Sequence, residues 1–531
     1  MATAAHRIRQ KTERISWFTM LTARDIVTPR MLEHDYKGTG TRYDPYQVMF
    51  LEDDPRDPMG FPPWLRWVLC VAAGYVTFSV AFLSSAFTGS IRDIAQDLGA
   101  SPESATLGLS LFLLGFVLGP LVWAPSSELY GRQVILLSTS SIHVFLNIVA
   151  CFSPSLTVLL VLRLLSGAFG AATLTNSGAV IADIFPPRQR GLAITVYALV
   201  PLFAPVLGPM VGTYVSGVLG WRWCMGMMAL ISASALAVAA LVLPETYPPV
   251  LLDKRAQRLT KMTGRNYVSA MAAAAASSGG KKGGPSFATT LSRPFLLAAN
   301  EPIISLLALY QAVVFGTLYF MFAALPLVYT DILGWPREQS GLSFLGVVVG
   351  MSLSVVFAIW DNRRYVRTLE RLKGEPVPPE SRLPACCLGG VCIVVGLLWC
   401  AWTARPGIPW LLNMASGVPF GFGIVLVTIG STNYLVDAYT IYAASALTVC
   451  ICGRAIWGAV FPLFVRSMFA SLGVWWSLSI PAVLSLVCLP FPFVFYRFGP
   501  AIRARCKYAG EARMAAQRAR QQVDEDTPLL A

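Results

Sequence analysis

Between Trp67 and Phe495 the chain repeats one pattern twelve times: a run of about twenty mostly apolar residues, closed by a short polar or Gly/Pro-bearing break. A helix needs roughly 20 such residues to cross the hydrocarbon core of a bilayer, so each run is a predicted membrane span. The first six are Trp67 to Phe87, Leu107 to Ala124, Val134 to Phe152, Leu156 to Ile181, Leu192 to Val218 and Trp223 to Leu243. The second six are Ile303 to Val328, Leu342 to Trp360, Ala385 to Trp402, Trp410 to Ile429, Ala443 to Phe464 and Trp475 to Phe495. Only 13% of residues are charged and 55% are hydrophobic, whereas soluble domains carry about 25% charged residues. The expected fold class is an all-α polytopic membrane protein.

The spans group six and six. This predicts a tail over 1–66, a six-helix bundle over 67–243, a central loop over 244–302, a second bundle over 303–497 and a tail over 498–531. One set of loops holds only Arg92, Arg222, Arg337, Arg405 and Arg466, and the tails and remaining loops hold nearly all other basic residues. An even number of spans with that bias places both termini in the cytoplasm. The net charge of +13 is then topological, with some attraction to anionic lipid headgroups. Dispersed charge with no compact basic module gives no reason to expect a nucleic-acid partner. The central loop carries Lys254, Arg255, Arg258, Lys261 and Arg265, then an Ala/Ser/Gly-rich stretch from Ala270 to Pro285 that reads as a flexible linker. The eleven cysteines lack paired metal-site spacing, so no metal is expected. The polar first sixty residues contain no secretory apolar core, and no Asn-x-Ser/Thr sequon occurs.

The break after the second span runs Gly119-Pro120-Leu121-Val122-Trp123-Ala124-Pro125-Ser126-Ser127-Glu128-Leu129-Tyr130-Gly131-Arg132. It packs an acid, a turn glycine and a base into a small loop, where Glu128 and Arg132 four residues apart can latch one conformation and part in another. This loop resembles the signature Gly-x-Leu-x-Asp-x-x-Gly-Arg-Lys/Arg of the major facilitator superfamily. Ala124, Ser126, Glu128 and Gln133 depart from that signature, and the form Ala-Pro-x-Ser-Glu-x-x-Gly-Arg is similar to its fungal twelve-spanning drug:proton antiporter branch. The resemblance implies two pseudo-symmetric six-helix halves and a conformational latch at Ser127, Glu128, Gly131 and Arg132.

Arg163 lies well inside the apolar fourth span, where a charge costs about 2.5 to 3.5 kcal/mol on insertion scales and therefore calls for a partner or a wet cavity. Its Arg-x-x-x-Gly context resembles the superfamily motif tied to proton coupling. In the fifth span Pro201, Pro205 and Pro209 recur every four residues beside Gly208 and Gly212, giving one small, kink-prone face. Gly208-Pro209-Met210-Val211-Gly212 resembles the Gly-Pro-x-x-Gly antiporter motif, which implies export. Further matches, among them Asp54-Pro55-Arg56-Asp57-Pro58 and Pro244-Glu245-Thr246-Tyr247-Pro248, extend the likeness from Asp54 to Pro500.

A proton-exchanging carrier needs a titratable group reached from both sides in turn. The candidates are Glu128, Asp437 and, as an outsider, His143, together with Arg163. Tyr310, Gln311, Tyr319 and Phe320 of the seventh span, with Arg454, form the candidate substrate cavity. The expected function is efflux of a small lipophilic or weakly anionic toxin, drug or secondary metabolite, driven by a proton gradient with no cofactor. Export of a small organic acid, then of a polyamine, and a non-transporting sensor are the alternatives; the scarcity of deep acids weighs against polyamines. A membrane enzyme is disfavoured because no catalytic cluster lies at membrane depth. The expected partners are the lipid bilayer and a small molecule, the expected state a monomer, and the expected site the plasma membrane. Glu525, Leu529 and Leu530 resemble an acidic dileucine signal, which would route the chain to a vacuole or endosome instead.

Overall fold

The computed structural model describes residues 15–277, 287–371, 378–511 and 514. The apolar runs fold as helices α1 (Pro63–Ala86), α2 (Pro102–Tyr130), α3 (Arg132–Cys151), α4 (Leu156–Ile184), α5 (Pro187–Leu219) and α6 (Trp221–Val242). A loop helix, α7 (Pro248–Thr263), follows. The second half consists of α8 (Pro302–Leu327), α9 (Leu345–Arg371), α10 (Leu383–Thr403), α11 (Trp410–Tyr439), α12 (Ala443–Val460) and α13 (Val465–Cys488). By length and hydropathy, eleven stretches among the described residues can cross a membrane. The last, Ser445–Ala504, is 60 residues long and leaves the helical path at Gly473, where φ is 75°. The end of the bundle carrying the central loop is called here the near end, and the opposite one the far end.

In lipid no hydrophobic force pulls helices together, so small residues that let backbones approach decide the contacts. A Cβ placed on Gly167 of α4 would fall 2.1 Å from the Phe112 carbonyl oxygen of α2, and one on Gly115 would fall 2.4 Å from the Ala168 nitrogen. The second half repeats the device. A Cβ on Gly346 or Gly350 of α9 would meet the Met414 or Val418 carbonyl of α11 at 1.9 or 2.0 Å. The two pairs, α2 with α4 and α9 with α11, occupy corresponding positions in the halves.

The amino-terminal tail and the central loop are more ordered than their composition predicts. Tyr46–Val48 (β1) pairs in parallel with Tyr267–Ser269 (β2), tying the amino-terminal tail to the central loop. Helix α7 turns Leu252, Ala256 and Leu259 toward Tyr36 and Val48 as a small separate core. On the same face Arg255 pairs with Asp54 at 2.6 Å, with side chains 2% and 0% exposed. The Ala-rich stretch expected to be a flexible linker is helical over Ala270–Ser277, in keeping with alanine's helix propensity, and its remainder lies outside the described residues.

Candidate functional site: a cavity between the halves

A cavity of about 210 Å³ lies between the two halves, from mid-depth toward the near end. One wall is apolar and comes from α5, with Ile194, Ala198, Pro201, Leu202 and Pro205. The facing wall is polar, with Thr428, Thr432 and Asn433 of α11 and Arg454 of α12. Tyr197, Phe116, Phe315 and Tyr319 complete it, and no carboxylate among the described residues lines it. The Arg454 guanidinium lies 5.7 Å from the centre of the Phe315 ring and makes no hydrogen bond or ion pair among the described residues. A lone cation in such a medium attracts an anion strongly, because little water screens it.

Tyr319 joins this cavity to the first half. Ser84 donates to the Ala81 carbonyl at 2.6 Å, so the Tyr319 hydroxyl donates to Ser84 Oγ, at 2.7 Å, across the interface. One residue away, the Leu83 carbonyl accepts from Arg163 Nη2 at 3.3 Å, while Arg163 Nε donates to the Gly108 carbonyl at 3.2 Å. Helix α1 passes into a 3-10 turn at Phe87–Ser90, and Arg163 lies 4.6 and 4.1 Å over the Phe87 and Phe112 rings. It is 1% exposed. The partner demanded by its depth is thus two carbonyls and two aromatic faces, with no acid.

The proline and glycine faces of α5 do different work. Pro201 and Pro205 face the cavity, whereas Gly208 and Gly212 admit α1: a Cβ on Gly212 would lie 2.1 Å from the Ala86 carbonyl oxygen. The Pro209 and Met210 backbone in turn touches Gly341 of the second half, closing the far end.

At the near end the expected Glu128–Arg132 pair is not formed. Helix α2 stops at Tyr130 and Gly131 takes φ 101°, so the two residues stand on different helices and the four-residue spacing no longer brings them together. Arg132 instead contacts Asp183 at 3.5 Å, donates to Ser127 Oγ at 2.6 Å and lies 4.6 Å over the Tyr247 ring, while Glu128 is exposed. Buried Glu245 accepts from the backbone nitrogens of Arg132, Gln133, Thr246 and Tyr247, capping α3. Arg56 is buried beside it. Its pKa is pushed down to about 10 by burial, against the opposing pull of Glu245. Asp54 with Arg255 and Asp183 with Arg132 form two ion pairs, while Arg56, whose guanidinium makes no hydrogen bond among the described residues, and Glu245 act on them through space.

The family model described as Major Facilitator Superfamily matches residues 73–462. The chain belongs to the major facilitator superfamily. It is 46% identical over 499 residues to the MFS-type efflux pump MFS2 of Trichophyton rubrum, covering 94% of this chain and 83% of that one. It is 43% identical over 509 residues to the major facilitator superfamily multidrug transporter mdrA of Aspergillus fumigatus, covering 96% and 83%. The xylose transporter XylE of E. coli, in a partially occluded inward-open conformation, shares the fold with a TM-score of 0.58 at 13% identity, over 82% of this chain and 98% of that one. The chain is therefore a facilitator-type transporter and not an enzyme.

Other residues of this facilitator lie away from the cavity. Tyr310 points at Gly390 of α10, Gln311 donates to Ser431 at 2.8 Å, and Phe320 packs on Phe461 with ring centres 5.0 Å apart. Helix α8 is buried on all sides, so composition alone could not tell which of its aromatics face the cavity; Tyr319 does, and so does Phe315, which the sequence reading missed. His143 is locked between α3 and α4. Its Nδ1–H donates to the Ser166 carbonyl at 2.8 Å, leaving Nε2 to accept from Asn147 at 3.2 Å. Asp437 pairs with Arg382 at 3.2 Å in the second half, at the position corresponding to Asp183 with Arg132. Glu525, Leu529 and Leu530 lie outside the described residues.

Proposed function

We propose that this facilitator exports a small, lipophilic, weakly anionic organic molecule by proton-coupled antiport, with Arg454 as the anchor for its negative end. The observation that carries this reading is the unpaired Arg454 guanidinium in a cavity lined by aromatics and without a carboxylate. That lining disfavours a polycation and suits a ring or aliphatic body bearing one acid group. The names of the relatives, efflux pump and multidrug transporter, support the direction of transport. The Gly208-Pro209 helix and Arg163 support antiport. The Gly473 break supports two crossings within Ser445–Ala504, hence twelve spans with both termini cytoplasmic, and a plasma-membrane location fits efflux. Benzoate flux in proteoliposomes with an imposed pH gradient tests the proposal. Arg454→Gln is expected to lower it about 10- to 150-fold, from ~1.5–3 kcal/mol for a charged hydrogen bond, with Arg454→Lys intermediate. Preference for choline over benzoate would overturn the anion reading; flux indifferent to the gradient would overturn antiport.

A further inference from the structure

A second pocket, of about 70 Å³, sits at the far end between the same two halves. Among the described residues three guanidiniums line it, those of Arg92, Arg337 and Arg466, and no carboxylate does. Two of them are engaged across the interface. Arg337 pairs with Asp93 at 2.5 Å and donates to the Gly89 carbonyl at 3.1 Å, and Arg92 pairs with Asp331 at 3.5 Å. Arg466 makes no hydrogen bond or ion pair among the described residues; exposed Glu103 and Asp331 act on it only through space. Hydroxyls of Thr88, Thr106, Thr213 and Ser340 and apolar groups around Phe322 and Pro326 complete the lining.

The pocket repeats the chemistry of the main cavity on a smaller scale: one unpaired arginine, a few hydroxyls, an apolar wall. The two are linked by an aromatic contact, since Phe322 of the far-end pocket packs edge-on against Tyr319 of the main cavity, with ring centres 5.0 Å apart. We infer that the far-end pocket is an exit site for the substrate's carboxylate, anchored by Arg466. It has room for that group and little more, so the body of the molecule follows only when the Tyr319–Phe322 pair parts. An arriving anion then also competes with Asp93 for Arg337 and with Asp331 for Arg92, so it loosens the two ion pairs that hold the far end shut. This inference rests on the proposed export of a weak organic anion.

The full-length protein in lipid nanodiscs is treated with phenylglyoxal, and modification of each arginine is followed by mass spectrometry with benzoate or, at matched ionic strength, chloride. The expected result is at least fivefold slowing by benzoate at both Arg454 and Arg466, with exposed Arg265 unchanged. In Arg466→Gln protein, the slowing at Arg92 should fall while that at Arg454 persists. Slowing at Arg454 alone would overturn the exit site and leave the proposed function standing. Slowing at neither would overturn both, and undiminished protection of Arg92 in Arg466→Gln protein would remove Arg466 as the anchor.

Discussion

Replacing Asp54 by alanine is expected to release the amino-terminal tail from the central loop. The carboxylate is wholly buried and accepts from Arg255 at 2.6 and 3.3 Å and from the Arg56 backbone nitrogen at 2.9 Å. Its loss strands a guanidinium that is 2% exposed in the side chain. Removing one partner of such a buried pair costs about 3–5 kcal/mol, and no solvent screening reduces it here. At 1.36 kcal/mol per decade, that is roughly a 160- to 5,000-fold rise in the population of the opened segment. Hydrogen exchange at the amides of Tyr46 and Asn266, which bond to Asn266 and Gly40 carbonyls across the two segments, reads this opening directly. The double variant Asp54→Leu/Arg255→Met should recover most of the loss, because neither member of the pair is left as a stranded charge. Exchange accelerated less than about fivefold in the single variant, or a double variant as open as the single one, would refute the reasoning.

Tyr319→Phe keeps the cavity ring but deletes the hydrogen bond to Ser84, worth about 0.5–1.5 kcal/mol; the balance between conformers should shift about 2- to 13-fold toward far-end opening, as read by spin-label distances between the halves. Gly212→Val forces a side chain into the Ala86 carbonyl, so α1 and α5 must separate; a loss of about 1–3 kcal/mol or more in stability is expected, measured by thermal unfolding in detergent, whereas the same change at Gly510, where an added Cβ meets nothing within 4 Å, should be silent. Burial, with the nearby Glu301 carboxylate, pushes the Cys506 thiol up to about 12. The raised value leaves it protonated at pH 8, so maleimide should label it only after unfolding, when an ordinary thiol pKa returns.

The helices were legible in the sequence because a bilayer demands long apolar runs, and the small-residue face of the fifth span because proline and glycine spacing maps directly onto helix faces. Arg163 and Arg454 stood out because charge at membrane depth is rare. What the sequence did not disclose depends on which way a helix is turned. Tyr310, Gln311 and Phe320 share α8 with Tyr319 and Phe315, but that helix is apolar all round and buried all round, so periodicity marks no cavity face. The Glu128–Arg132 pair is absent from this conformation for a different reason. Four-residue spacing brings side chains together only on an unbroken helix, and Gly131 breaks it, handing Arg132 to Asp183 and leaving Glu128 in the open. Asp183 and Glu245, the groups that meet Arg132, lie some 50 and 110 residues further along the chain, beyond any local pattern.

The pairing of tail with central loop changes how tolerance to mutation should be distributed. By composition, the segments around Asp54 and Arg255 belong with the linkers, where charge changes usually pass unnoticed. Their burial places them with the interior of the protein instead. A saturation screen for lost transport should therefore collect charge-altering substitutions at Asp54, Arg56 and Arg255 as densely as in the membrane helices. Neighbours on the open side of α7, such as Lys254 and Arg258, should accept nearly anything.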